Sequence, residues 1–273
     1  MTNQLNFKII QLGVLMKPGE IIYYEDELND EIIDFHIKKK KIDGDYKYLH
    51  KNLFYRLWSF ITYRLIATPI VWFYLKFHHV KIINKKILKS YKKTGYFIYG
   101  NHTNQFIDGF SPTITCFPKK PYIIVNPDNI SMPFWGHFTR MWGALPLPDT
   151  IQATKNFSKA LDELISKNHP ILIYPEAHLW PYYTKIRPFT SKSFKHPIKY
   201  DKPVFTFTTT YHKRKFSKKP RIEIYVDGPF YPDKYLEMKA RQEKLRNEVY
   251  ENLVKHAQCS DYEYVKYIKK EHK

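Results

Sequence analysis

The chain is predicted to fold as an α/β domain, a mixed β-sheet flanked by helices and preceded by an amphipathic helical segment. Three features of the sequence predict it. Short aliphatic and aromatic runs at 96–100 (YFIYG), 121–125 (PYIIV), 171–174 (ILIY), 204–211 (VFTFTTTY) and 221–226 (RIEIYV) have the length and make-up of buried strands. Segments of helical period lie between and after them. Over 151–168 the residues Phe157, Ala160, Leu161, Leu164 and Ile165 share one face, with Asp149 or Thr150 as the cap, and over about 233–257 Leu245, Val249, Leu253 and Ala257 recur at four-residue spacing. The third feature is 52–77 (NLFYRLWSFITYRLIATPIVWFYLKF), the most hydrophobic stretch of the chain.

Taken in order, residues 1–15 lack the basic leader, long apolar run and small-residue cleavage site of a signal peptide, so export is not expected. Residues 1–50 read as an N-terminal extension of no legible role, mixing Tyr, Ile and acids over 16–35 before the lysines at 38–41 and a turn at Gly44. Within 51–80 the longest uncharged run, 65–75, has eleven residues and a central Pro69. A bilayer span needs roughly 17–25, so this segment is expected not to cross. Arg56 and Arg64 interrupt it while Trp58, Trp72 and several Phe and Tyr thicken its apolar side, the pattern of a pair of short helices lying in a membrane interface or packing on the domain. Residues 126–149, with four prolines and Trp135, Gly136, Trp142 and Gly143, read as a loop-rich wall of a cleft, and 213–221 as a basic hairpin or loop. The Lys-rich end, 261–273, reads as a frayed basic tail. A length of 273 residues suits one core with appendages.

Composition narrows the class of partner. The formal net charge is +19, and a lysine-rich surface attracts nucleic acid, anionic lipid and acidic metabolites alike. No RNP-like run, zinc-finger spacing or Walker loop accompanies the charge, so no specific nucleic-acid partner is expected. An anionic membrane surface is expected instead, since each cation held there contributes about 1 kcal/mol and the chain is rich in Tyr, with 23 of them. Two distant cysteines, Cys116 and Cys259, give neither a disulfide framework nor a thiolate metal site, which suits a reducing, cytoplasmic compartment.

The chemistry concentrates at 96–108 (YFIYGNHTNQFID). A strand that ends at Gly100 would deliver His102 to the edge of a sheet, where open α/β folds keep their active sites. A His near neutral pKa is a natural base for a hydroxyl proton, and a nearby carboxylate would orient it and stabilise the imidazolium; Asp108 is the candidate. The same residues also suit a solvent-facing His and an acid that opens the next helix. After the strand at 171–174 comes Pro175-Glu176-Ala177-His178, a second acid and His expected on the same edge. His102, Asp108, Glu176 and His178 are adequate metal ligands, but their spacing fits no common metal motif and no bound metal or cofactor is expected.

The order strand–His…Asp, strand, Pro/Trp/Gly segment, helix, strand–Pro-Glu, strand resembles the lysophospholipid and glycerolphosphate acyltransferase family, which includes the 1-acylglycerol-3-phosphate acyltransferases. The match covers roughly 80–230, within an acyltransferase domain taken as 81–260. Asn101-His102…Asp108 resembles the family's first motif. Met132-Pro133-Phe134-Trp135-Gly136 with Trp142-Gly143-Ala144-Leu145-Pro146 resembles its second, Tyr174-Pro175-Glu176 the start of its third, and Lys202-Pro203-Val204 that of its fourth. The resemblance implies transfer of an acyl group from a thioester, acyl-CoA or acyl carrier protein, to a lysophospholipid hydroxyl at a membrane's cytoplasmic face. His102 would be the general base and Asp108 its orienting partner, with no acyl-enzyme nucleophile, and backbone donors near Gly100 or around Gly143 would hold the oxyanion.

Departures from the family pattern bear on the acceptor. Five residues, not four, separate His102 from Asp108. The third motif continues Ala177-His178-Leu179 where the family has Gly-Thr-Arg, so the Arg that would grip an acceptor phosphate is missing. Lys185, Arg187 and Arg140 are the cations placed to restore that charge. His178 is the candidate to replace part of the lost Arg function, and Glu176 is expected to hydrogen-bond acceptor hydroxyls or bind a basic neighbour.

Overall fold

In a computed structural model, residues 16–33 and 37–271 are described, together with two short N-terminal strands. Those two, β1 (Ile9–Ile10) and β2 (Gly13–Val14), pair antiparallel. Then follow β3 (Glu20–Tyr24), α1 (Leu53–Phe60), a π-helical stretch (Ile61–Ala67), α2 (Thr68–Phe77), β4 (Lys81–Ile83), β5 (Tyr96–Gly100), α3 (Gln105–Thr115), β6 (Tyr122–Val125), α4 (Asp128–Ser131) and α5 (Trp135–Trp142). The rest of the chain gives β7 (Ala144–Pro146), α6 (Ile151–Ser166), β8 (Pro170–Ile173), α7 (Lys195–Tyr200), β9 (Val204–Arg214), β10 (Ser217–Phe230), α8 (Met238–Ala257) and β11 (Val265–Lys269).

Seven strands form the central sheet in the order β4-β10-β9-β5-β8-β6-β7. Strands β9, β5, β8, β6 and β7 run parallel; β10 is antiparallel to β9, and β4 runs parallel to β10. The mixed sheet expected from the sequence is therefore present. Its central strands are buried on both faces, as helix-covered parallel strands must be, and the pleat sorts their side chains by parity. Phe97, Tyr99, Ile171 and Ile173 join α6 and α8 residues Leu161, Leu164, Leu245 and Leu253 on one face. Tyr96, Ile98 and Leu172 join α2 and α3 residues Val71, Leu75 and Ile107 on the other.

Several boundaries differ from the sequence reading, each for a physical reason. The stretch 53–77 is one continuous helical run rather than two short helices: the π-helical stretch 61–67 stands just before Pro69, so the residue without an N–H falls where the hydrogen-bond ladder already changes from π to α. Among the described residues no helix is long and apolar enough to cross a membrane. The segment read as loop over 126–149 holds α4, α5 and the edge strand β7, with Gly143 at φ 113° closing α5. A Cβ there would meet the Pro121 carbonyl at 2.7 Å. The supposed basic tail instead contributes β11, which pairs in parallel with β3, so the extension and the C-terminus hold each other. Ile42 adds a further anchor, fully buried against Ile130 and Ala153. Thr150 rather than Asp149 caps α6, accepting from Ala153 N at 3.1 Å, while Asp149 accepts from Ile42 N.

Phe97 carries no exposed surface and sits in the middle of the α6/α8 core. Phe97→Ala should therefore lower unfolding free energy by about 3–5 kcal/mol, whereas Ile151→Ala, at an 81 % exposed position, should stay within roughly 0.5 kcal/mol of the parent in urea titrations.

Candidate active site

At the end of β5 a five-residue buried strand passes, through residues 101–104, into a helix carrying Asp108 in its first turn. Gly100 is required there for space. A Cβ would meet Tyr174 Cε1 at 2.9 Å and the Phe207 carbonyl at 3.0 Å, so its role is close approach rather than the sharp turn its type suggests. Asn101 is buried and its side chain extends the sheet, donating to Thr209 O at 3.0 Å and accepting from Thr209 N at 2.8 Å. Asn104 caps α3, accepting from Ile107 N.

His102 emerges between these two anchors. Its Nδ1 lies 2.9 Å from Asp108 Oδ2, and the same oxygen accepts from Thr103 N and Asn104 N, each at 2.9 Å. One buried carboxylate oxygen thus folds three donors around itself, and the five intervening residues are absorbed by the turn into α3. Asp108 Oδ1 is buried without a partner. Burial raises the Asp108 carboxyl above its ordinary range, and the hydrogen bond and charge of His102 oppose that rise. The Tyr174 ring stacks on His102 at 4.7 Å and its hydroxyl donates to Asp108 O at 2.6 Å. The His102 side chain is 24 % exposed where that of Asp108 is 2 % exposed, so with Nδ1 facing the acid, Nε2 is the nitrogen left for chemistry.

Glu176 lies on the same edge, since β8 runs parallel to β5 with Tyr99 level with Ile173. Its carboxylate turns inward. Oε2 accepts from His102 N and Oε1 from Arg187 N, both at 3.0 Å, and Arg187 Nε stands 3.7 Å from Oε2 with both side chains fully buried. Arg187 also donates to the carbonyls of Glu176 and His178 and stacks over Trp180. Of the two roles expected for Glu176 the structure takes the basic neighbour. Arg187 is corrected from phosphate ligand to buried brace, because its guanidinium is consumed by internal partners. The loop is closed by Trp180 N donating to His102 O and Tyr182 N donating to Thr103 O. Trp180 and Tyr182 carry no mark of this role in the sequence, since their aromatic character gives no sign of which strand end they meet, and Tyr174 enters there only as the end of the run 171–174 and the first residue of the third motif.

The remaining candidates are scattered. His178 is partly exposed, with Nδ1 3.8 Å from Glu31 Oε1. Arg140 lies over the Tyr46 ring and 3.3 Å from His50 Nε2, and Lys185 is exposed. The N–H groups of 102, 103 and 104 are all directed at carboxylates and Gly143 N at Arg140 O, so neither expected oxyanion donor set is free in this arrangement. Among the described residues no three His, Cys, Asp or Glu side chains assemble into a metal-binding group.

A family model described as Acyltransferase matches residues 79–210, the span from the end of α2 to the middle of β9. Among solved structures, the 1-acyl-sn-glycerophosphate (LPA) acyltransferase PlsC from Thermotoga maritima superposes with a TM-score of 0.53 at 14 % identity, covering 74 % of this chain and 87 % of that one. At that identity the likeness concerns the fold. No curated protein matches the sequence.

Two stability measurements check this geometry. Arg187→Met should destabilise the protein by about 3–5 kcal/mol by leaving Glu176 buried without its cation, and adding Glu176→Gln should recover part of the loss. Ala177 sits at φ 64°, a left-handed conformation that costs an L side chain more than Gly, so Ala177→Gly should raise stability by roughly 1 kcal/mol.

Proposed function

We propose, from the premise that residues 79–210 belong to the acyltransferase family, that the protein moves a fatty acyl group from a thioester, acyl-CoA or acyl carrier protein, to the hydroxyl of a lysophospholipid such as 1-acylglycerol-3-phosphate. The observation that carries the reading is the His102–Asp108 pair, a ring nitrogen held at 2.9 Å by a buried carboxylate on a ring that keeps 24 % of its surface exposed. In this reaction His102 Nε2 takes the acceptor hydroxyl proton as its oxygen attacks the thioester carbonyl carbon. The tetrahedral intermediate expels the thiolate, and the imidazolium returns the proton to sulfur. Asp108 keeps the proton on Nδ1 and offsets the imidazolium charge. Glu176 and Arg187 act one step back, holding the His102 backbone.

A peripheral position on the cytoplasmic face of a membrane accompanies this reading. Along the helical run Leu53, Phe54, Trp58, Leu65, Ile70, Phe73 and others leave their side chains exposed, Phe54 at 81 % and Phe77 at 80 %. So large a contiguous apolar surface calls for a cover, and lipid is both the cover and the solvent of the acceptor.

The burial of Arg187 favours a second reading, a lipid acceptor without a phosphate monoester. Incubation with labelled acyl-CoA and a panel of lysophospholipids and phosphate-free acceptors, with products identified by mass, separates the two. His102→Ala should reduce turnover by on the order of 10²–10⁴-fold with an unchanged circular dichroism spectrum, and turnover kept at the parent level would remove the base. Asp108→Asn should likewise lower turnover, by loss of the charge that stabilises the imidazolium.

A further inference from the structure

Strand β9 outruns the sheet. It is level with Gly100 at Phe207 and continues to Arg214, so at about 3.3 Å per residue the β9–β10 turn stands roughly 20 Å beyond the catalytic edge. The turn is Lys215-Phe216, closed by the pairing of Arg214 with Ser217. Phe216 at its tip is 90 % exposed, and Lys213, Lys215, Lys218 and Lys219 around it are exposed, with no carboxylate partner among the described residues. The nearest acids are engaged elsewhere: Glu223 with Arg221 and His212, and Asp261 with His212 and Lys213 N. Arg214 donates to His78 O at 2.7 Å, which ties the hairpin to the end of α2, beside Phe77. In turn, Tyr74 of α2 packs on Phe106 in the first turn of α3 at 4.0 Å.

The geometry points to the β9–β10 hairpin as a second docking element that seats the catalytic edge on an anionic bilayer. This rests on the peripheral-membrane reading above and adds to it a site and a lipid charge. An aromatic tip within a collar of lysines that have no carboxylate partner, Lys215 lying over the Phe216 ring at 5.3 Å, combines an apolar plug with attraction to lipid headgroups. Continuity through His78 with the apolar face of the helical run selects lipid over nucleic acid, which would meet the lysines but leave that face uncovered. Two contacts joined through His78 fix the tilt of the molecule, whereas the helical run alone leaves it free to roll.

Sedimentation with vesicles of phosphatidylcholine alone or mixed equally with phosphatidylglycerol tests this on the full chain. The triple variant Lys215→Ala, Lys218→Ala, Lys219→Ala should partition on the order of 100-fold less onto the anionic vesicles, roughly five-fold per lysine, with little change on the neutral ones. Phe216→Trp should add blue-shifted emission to that of the parent when anionic vesicles are present. If the parent sediments but the triple variant matches it, or the Phe216→Trp emission does not move, the hairpin's role is overturned and the membrane reading stands. A parent that fails to sediment with either vesicle overturns the membrane reading itself. Tighter binding to a duplex oligonucleotide than to the anionic vesicles overturns the choice of partner.

Discussion

A single buried oxygen, Asp108 Oδ2, organises the catalytic edge. Shut away from water, it must collect donors from the protein. The ones within reach are the His102 ring and the N–H groups of Thr103 and Asn104. The ring's orientation, the turn out of β5 and the start of α3 are therefore aspects of one constraint.

Glu176 applies the same logic from the neighbouring strand. Its oxygens hold the His102 and Arg187 amides, so two buried acids clamp the segment from both sides. The third motif departs from the pattern it resembles at Ala177 and His178, yet at Ala177 the backbone takes the left-handed conformation a glycine would prefer. A guanidinium nevertheless reaches the loop, carried by Arg187 eleven residues past Glu176, and it is directed inward.

The third layer is asymmetric. One side of the sheet is closed by α6 and α8, while the helical run on the other side is half packed and half bare, its Tyr63 bonded inward to Thr113 and its Phe54, Phe73 and Phe77 left outward. Lys120 pins the layer to the domain, nearly buried between the Tyr63 and Tyr122 rings with its amine on Met141 O, and burial lowers its pKa to about 8.

How much of this was legible follows from the range of each interaction. The strands of the core, α6, α8 and the His102/Asp108 candidate pair are readable because apolar period and short-range spacing are written locally. The amphipathic run showed in composition too, but its continuity through Pro69 did not, since nothing in the composition marks the π-helical stretch that precedes the proline. The pairing of β3 with β11 joins residues about 245 positions apart, and the inward turn of Arg187 depends on a carboxylate from another strand end. By itself the sequence determined which segments are apolar, where they alternate and which side chains could carry a proton. Only the tertiary structure decided which of those charges face the reacting edge and which are buried against each other, because desolvation and long-range pairing exist only once the chain has closed on itself.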